Sequence, residues 1–169
     1  MHMRVFHGST TIVDSPFVNA GRRNLDFGQG FYVTDLQEQA ISWAERPLNV
    51  GKSHFLNIYE LDLQGILAQG YRYLRFEHYD NDWLDFVVGN RRGERLWEAY
   101  DIIEGGIAND RVFNSIELYA AGLTPREETL QRLIYEQPNN QICILRQPII
   151  DLYLHFVEAK EIGKEGKGR

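Results

Sequence analysis

Leu25-Asp26-Phe27-Gly28-Gln29-Gly30-Phe31-Tyr32-Val33-Thr34 sets two glycines ahead of a run of aromatic and β-branched residues. Alternation over 31–34 predicts a strand, with Phe31 and Val33 on one face and Tyr32 and Thr34 on the other. About twenty residues upstream, Met3 to Phe6 alternates into His7-Gly8-Ser9, a first strand ending at a small-residue turn with His7 at its carboxyl end. The fold turns on one question. Either Tyr32 belongs to an ordinary β-rich core, or it lines a pocket that His7 also faces.

Between these strands, Asp14 to Asp26 has Pro16, Gly21 and no periodicity, which predicts a loop with a short helix. After Thr34, Asp35 is placed to cap a helix carrying Leu36, Ala40, Trp43 and Ala44 as far as Pro47. His54 to Leu63 reads as a strand and Tyr71 to Phe76 as a short extended piece. Asp80-Asn81-Asp82 caps a helix with Trp83, Leu84, Phe86 and Val87, ending near Gly89. Tyr100 to Ile107 is a buried strand, Asn109-Asp110 caps a helix to Gly122, and Thr124-Pro125-Arg126-Glu127 opens another to about Tyr135. Gln141 to Leu145 is a strand, Ile149 to Leu154 a short helix or turn, and Phe156 to Glu161 a last strand. The order is mixed rather than regular βαβ, so the fold class is α+β: one domain over 3–162, with 163–169 a fraying tail.

Composition narrows the function classes. With 169 residues, 43% hydrophobic and 25% charged, the chain can bury one core. A single cysteine, Cys143, excludes an intrachain disulfide framework and a cysteine zinc site, and fits a reducing, cytoplasmic setting. No apolar run of membrane-spanning length and no signal peptide is legible. A net charge of -6 opposes bulk nucleic-acid binding. Arg91, Arg92 and Arg95 form the best candidate basic patch, read as a solvated helix end and loop. The acids Asp80, Asp82 and Asp85 are read as solvated helix-start residues rather than a cation site, and no metal is expected.

The histidines (His2, His7, His54, His78, His155) never fall at zinc-protease spacing, and neither a G-x-S-x-G elbow nor a P-loop is present. Gly28-Gln29-Gly30 lacks the third glycine and the immediate helix of a dinucleotide fingerprint. What remains is F6-H7-G8-S9 paired with D26-F27-G28-Q29-G30-F31-Y32-V33-T34. To it are added Trp43-Ala44 on a helix, W83-L84-D85-F86-V87, Y100-D101-I102-I103 leading to I107-A108-N109-D110, and Gln141-Ile142 opening a late strand. Together these resemble an uncharacterised bacterial domain family thought to belong to the ADP-ribosyltransferase superfamily, in the diphtheria toxin and poly-ADP-ribose polymerase branch. The resemblance spans roughly residues 4 to 157.

The resemblance implies a split β-sheet core with flanking helices, and NAD as substrate. His7 would hydrogen-bond the adenosine-side ribose, the Gly8 backbone would grip the nicotinamide amide, and Ser9 would add a ribose contact. Tyr32 would stack on the nicotinamide ring, with Gly28 and Gly30 letting the backbone approach the dinucleotide. Cleavage of the nicotinamide–ribose bond develops positive charge, which better-known members of the superfamily balance with a Glu on a late strand. Here Gln141 stands at that position: it can hydrogen-bond a ribose hydroxyl but brings no charge. Asp110 is the first candidate for the carboxylate, with Asp101 and Glu136 behind it.

Each residue has a structural alternative: a satisfied strand-end histidine, a packed tyrosine, glycines of a plain bulge, a strand-start glutamine, and an N-cap aspartate. Two functions follow. The first is mono-ADP-ribosyl transfer from NAD to an unknown macromolecular acceptor, as in a bacterial toxin paired with a neutralising antitoxin protein. The second is a catalytically inactive NAD- or ADP-ribose-binding or protein-interaction module. Because His7 and Tyr32 would line a cleft, His7→Ala and Tyr32→Ala are expected to weaken NAD binding with little change in melting temperature.

Overall fold

A computed structural model describes residues 2–21, 25–108, 110–134 and 139–163; the side chains of 110–113 and 134 lie outside the described set. Within it are two sheets and six α-helices, a mixed α+β architecture. The first sheet orders β1 (Met3–Ser9), β3 (Phe55–Leu61) and β7 (Leu154–Glu161) antiparallel, with β3 central. The second orders β2 (Phe31–Val33), β6 (Gln141–Ile144), β5 (Ile102–Gly105) and β4 (Tyr73–Arg75), parallel only between β4 and β5.

Strand alternation decides where the cores lie. Val5, Tyr59 and Leu61 of the first sheet meet Phe31, Val33, Ile102, Ile142 and Ile144 of the second, so one core fills the space between sheets. Ile66 of α2 (Leu63–Ala68) and Ile149 and Ile150 of α6 (Gln147–Tyr153) close it. The opposite face of the second sheet, with Ile103 and Cys143, is covered by α3 (Asn81–Arg91), α4 (Asp110–Ala120) and α5 (Arg126–Ile134) through Trp83, Leu84, Val87, Ile116 and Leu133. A third cluster, Phe6, Leu56, Ile58 and Ala40, lies under α1 (Gln37–Ala44).

Some expectations need correction. Asp35 does not cap α1: Leu36 holds the cap position without a side-chain bond, and the Asp35 carboxylate accepts instead from Asn140 Nδ2 at 3.0 Å. The strand from His54 stops at Leu61, because Asp62 caps α2 by accepting from the Gly65 amide at 2.9 Å. That helix was not legible in Leu63-Gln64-Gly65, where a mid-helix glycine lowers propensity. Asp80 does cap α3, accepting from the Trp83 amide, and α3 runs past Gly89 to Arg91.

The basic cluster is structural. Arg91 pairs with Asp26 and Glu117, Arg92 donates to the Ala120 carbonyl, and Arg95 pairs with Glu98. Among the acids, Asp85 pairs with Arg126 at 2.6 Å. Asp101, buried at the start of β5, receives Arg72 and Arg146. Burial alone would raise its carboxyl, but the hydrogen bonds from both guanidiniums and the Arg72 amide hold it at about 2. That commits Asp101 to tying β4 and β6 around β5. Asn109, Glu136 and residues 164–169 lie outside the described residues.

Candidate functional site

The two sheets touch through β1 and β2 at a single point. Phe6 and Thr34 exchange both backbone bonds, at 2.7 and 2.9 Å, and there the pairing ends. In an extended strand alternate residues aim their N–H and C=O to the same side. Gly8 therefore addresses β2 as Phe6 does, yet makes no hydrogen bond to it. Beyond the bridge no further backbone bond joins β1 to β2 among the described residues, and the buried Gly8 turns one donor and one acceptor toward the seam.

His7 holds the gap's edge. Its Nδ1 lies 2.7 Å from the Tyr32 carbonyl oxygen. A carbonyl only accepts, so Nδ1 carries the proton and donates. Its ring rests on Phe31, centroids 4.5 Å apart. Burial lowers its pKa, against the Tyr32 bond that raises it, so the neutral ring with a bare Nε2 is favoured. Among the described residues Nε2 has no partner. The ring thus has one nitrogen spent on structure and one acceptor to offer.

Tyr32 lies on the other face of β2. Its phenol donates to the Gly28 carbonyl at 2.6 Å and accepts from the Phe27 amide at 3.2 Å, so the phenol folds back onto the glycine turn. Burial first, then Cys143 and Asp26, pushes its pKa well up, and the phenol stays neutral. Gly28 has φ +94°, and a Cβ there would sit 2.1 Å from Trp97 Cγ; one at Gly30 would sit 2.6 Å from Cys143 Sγ. Both glycines are explained by close packing of this turn on α3's neighbourhood and β6.

Gln141 begins β6. The pairing of Val33 with Ile142 extends to set Gln141 level with Thr34, on the Tyr32 face, half-buried. The residues before it are clamped from four sides. Asn140 exchanges two bonds with Gln39 of α1 (2.7 and 3.0 Å), and its Nδ2 bridges Asp35 and the buried Glu104. Asn139 Oδ1 accepts from Tyr79 and from the Ile107 amide, both at 2.7 Å. Sequence reading missed these asparagines and Glu104, although the doubled Asn139-Asn140 before a strand was the visible signal.

The structure therefore brings Gly8, Tyr32 and Gln141 to one side of the seam, while the imidazole of His7 and Ser9 belong to the other. Ser9 Oγ is within 3.3 Å of Thr11 Oγ1 and takes the Thr11 amide at 3.2 Å. α1 covers Gly8 so closely that a Cβ would stand 1.9 Å from the Ala40 carbonyl oxygen. Asp110 opens α4, its side chain outside the described residues. Just before it, Asp26 accepts from the Ala108 amide at 3.1 Å and from Arg91 at 2.7 and 2.8 Å, which links the glycine turn to the approach to α4. Among the described residues no group of three His, Cys, Asp or Glu is placed to hold a metal, and no helix is long and apolar enough to cross a membrane.

Residues 3–156 match the family model described as protein of unknown function (DUF3990), and the chain belongs to that family. No curated protein and no solved structure matches it.

Proposed function

We propose that this member of the family binds NAD at the open seam between β1 and β2 and transfers its ADP-ribose to a macromolecular acceptor, through an ADP-ribosyltransferase-like fold. The observation that carries the reading is the backbone edge of Gly8, which faces the seam and has no hydrogen-bond partner among the described residues. A carboxamide needs one donor for its oxygen and one acceptor for its NH2, and a strand residue facing a gap supplies both at fixed separation. On the other side of the seam from Gly8, Tyr32 and Gln141, His7 Nε2 is an acceptor for a hydroxyl of the adenosine-side ribose, with the ring fixed by Tyr32's carbonyl. Tyr32 supplies an aromatic wall and Gln141 a neutral hydrogen bond to the reacting ribose. As the C1′–N bond breaks, its electron pair leaves with nicotinamide, and an acceptor nucleophile attacks C1′ and gives up its proton. Asp110 is the carboxylate proposed to steady the cationic sugar. A toxin restrained by a neutralising partner protein is the setting the resemblance implies.

A second reading, NAD or ADP-ribose binding without turnover, is favoured by a specific observation: the carboxylates flanking Gln141, Asp35 and Glu104, are both engaged by Asn140. One experiment separates the two. The protein is titrated calorimetrically with NAD and with ADP-ribose, then incubated with labelled NAD and a bacterial lysate. Transfer proposes release of nicotinamide and labelled macromolecules; binding without either leaves the module; no binding to either nucleotide overturns both.

A further inference from the structure

β7 is an eight-residue strand at the edge of the first sheet, and among the described residues no strand pairs with its outer side. Phe156 and Val157 on it are 36% and 44% exposed, with Leu152 just before it at 62%. An uncovered edge of this length is a template for another strand. The direction of its free groups follows from one bond: the Ile162 amide donates to His54 of the neighbouring segment at 2.8 Å. By alternation Lys160 and Glu158 also turn their backbone toward β3, and Ala159 turns its N–H and C=O outward.

We propose that the outer edge of β7 pairs antiparallel with β7 of a second copy of this chain, about a two-fold axis at Ala159. The charges choose the partner. Glu158 and Lys160 lie on one face, 3.5 Å apart within the strand. Two-fold pairing at Ala159 sets Glu158 opposite the other copy's residue 160 and Lys160 opposite its residue 158. Each charge then has an opposite sign in the non-bonded position across the strand. The two charges penalise a strand that sets like charge opposite them, and an identical strand in this register does not. The two three-stranded sheets become one of six strands, with the seam between β1 and β2 at its far sides.

The test is the mass of the whole chain by sedimentation equilibrium across a concentration series. The expected result is a rise toward twice the 19.7 kDa monomer. Lys160→Glu or Glu158→Lys alone should raise the dissociation constant about tenfold, by setting like charges opposite each other twice per dimer. The double variant, with both charges exchanged, should restore wild-type association. Ala159→Pro, which removes an outward N–H and no bond to β3, should abolish it while circular dichroism stays native. A wild type that stays monomeric at millimolar concentration overturns the proposal. So does a dimer indifferent to all four variants.

Discussion

The imidazole of His7 donates to the backbone carbonyl of Tyr32 across 2.7 Å, at the point where β1 and β2 cease to pair. The side chain stands in for the next rung of the ladder, so His7 has a structural task beside any contact with a nucleotide. This corrects the expectation that His7→Ala leaves stability unchanged. Removing the ring leaves the Tyr32 carbonyl without its donor and strips contact from Phe31. A loss of about 1–3 kcal/mol follows, or about 2–4 °C in melting temperature per kcal/mol at this size. Calorimetry of the variant checks it; an unchanged melting temperature would show that the bond contributes nothing.

The same burial gives a pH dependence whose sign is fixed. Folded His7 has its pKa lowered below 6.5, while the unfolded ring keeps the ordinary value. Below about pH 6.5 the unfolded chain takes up a proton that the folded ring resists, so stability falls with falling pH until the folded ring protonates too. Melting temperatures of wild type and His7→Gln between about pH 5 and pH 7.5 should converge toward the acid end. Parallel curves would remove His7 from the titration.

Gly28 separates packing from backbone preference. It shares its positive φ with Gly51, but a Cβ at 51 meets nothing within 4 Å, whereas at 28 it enters the Trp97 ring. Gly51→Ala should cost about 1–2 kcal/mol from the left-handed backbone alone, and Gly28→Ala about 3 kcal/mol or more by adding the clash. Gly28→Ala should also loosen the Tyr32 phenol from the Gly28 carbonyl. Denaturant midpoints of the two variants decide this; equal losses would mean that Trp97 gives way freely.

Much of the fold was legible where periodicity and punctuation agree. Pro47, Asp80 and Gly122 bounded helices, and the alternation of Phe31, Tyr32 and Val33 assigned faces that the two cores later occupied. Other features were beyond reach because they join distant segments. Nothing local in Asp35 announces that its partner is Asn140, and a helix at Leu63–Ala68 depends on Ile66 reaching the core between sheets. At the site, the sequence marked His7, Gly8, Tyr32 and Gln141. It could not mark that the pairing of β1 with β2 would stop at Phe6–Thr34, leaving Gly8's backbone without a bond to β2.

Asp26 couples two candidate segments, and the coupling is measurable. Its carboxylate, like the Arg91 guanidinium, is about 15% exposed, and it also takes the Ala108 amide, while Asn90 donates to its carbonyl at 2.8 Å. Asp26→Ala takes from the largely buried Arg91 its 2.7 Å carboxylate partner and should cost about 2–4 kcal/mol. Hydrogen exchange should rise together at 25–30 and at 106–108, since both hang on one carboxylate. Faster exchange at only one of them would show the segments to be independent.

Gln141→Glu tests the proposed chemistry most directly. The residue stands at the first position of β6, on the Tyr32 face, level with Thr34, so a carboxylate there enters the side of the seam that Gly8 addresses. Asp35 and Glu104 lie beyond Asn140, each already accepting one of its protons. A carboxylate beside C1′ would stabilise an oxocarbenium-like state that glutamine meets with a dipole only, and removal or addition of one such electrostatic contact changes rates by about 10²–10³. Nicotinamide release from NAD should therefore rise in the variant, while NAD affinity measured by calorimetry changes little. A variant that binds NAD as the wild type does and releases no more nicotinamide would place residue 141 away from the reacting ribose, whatever its neighbours bind.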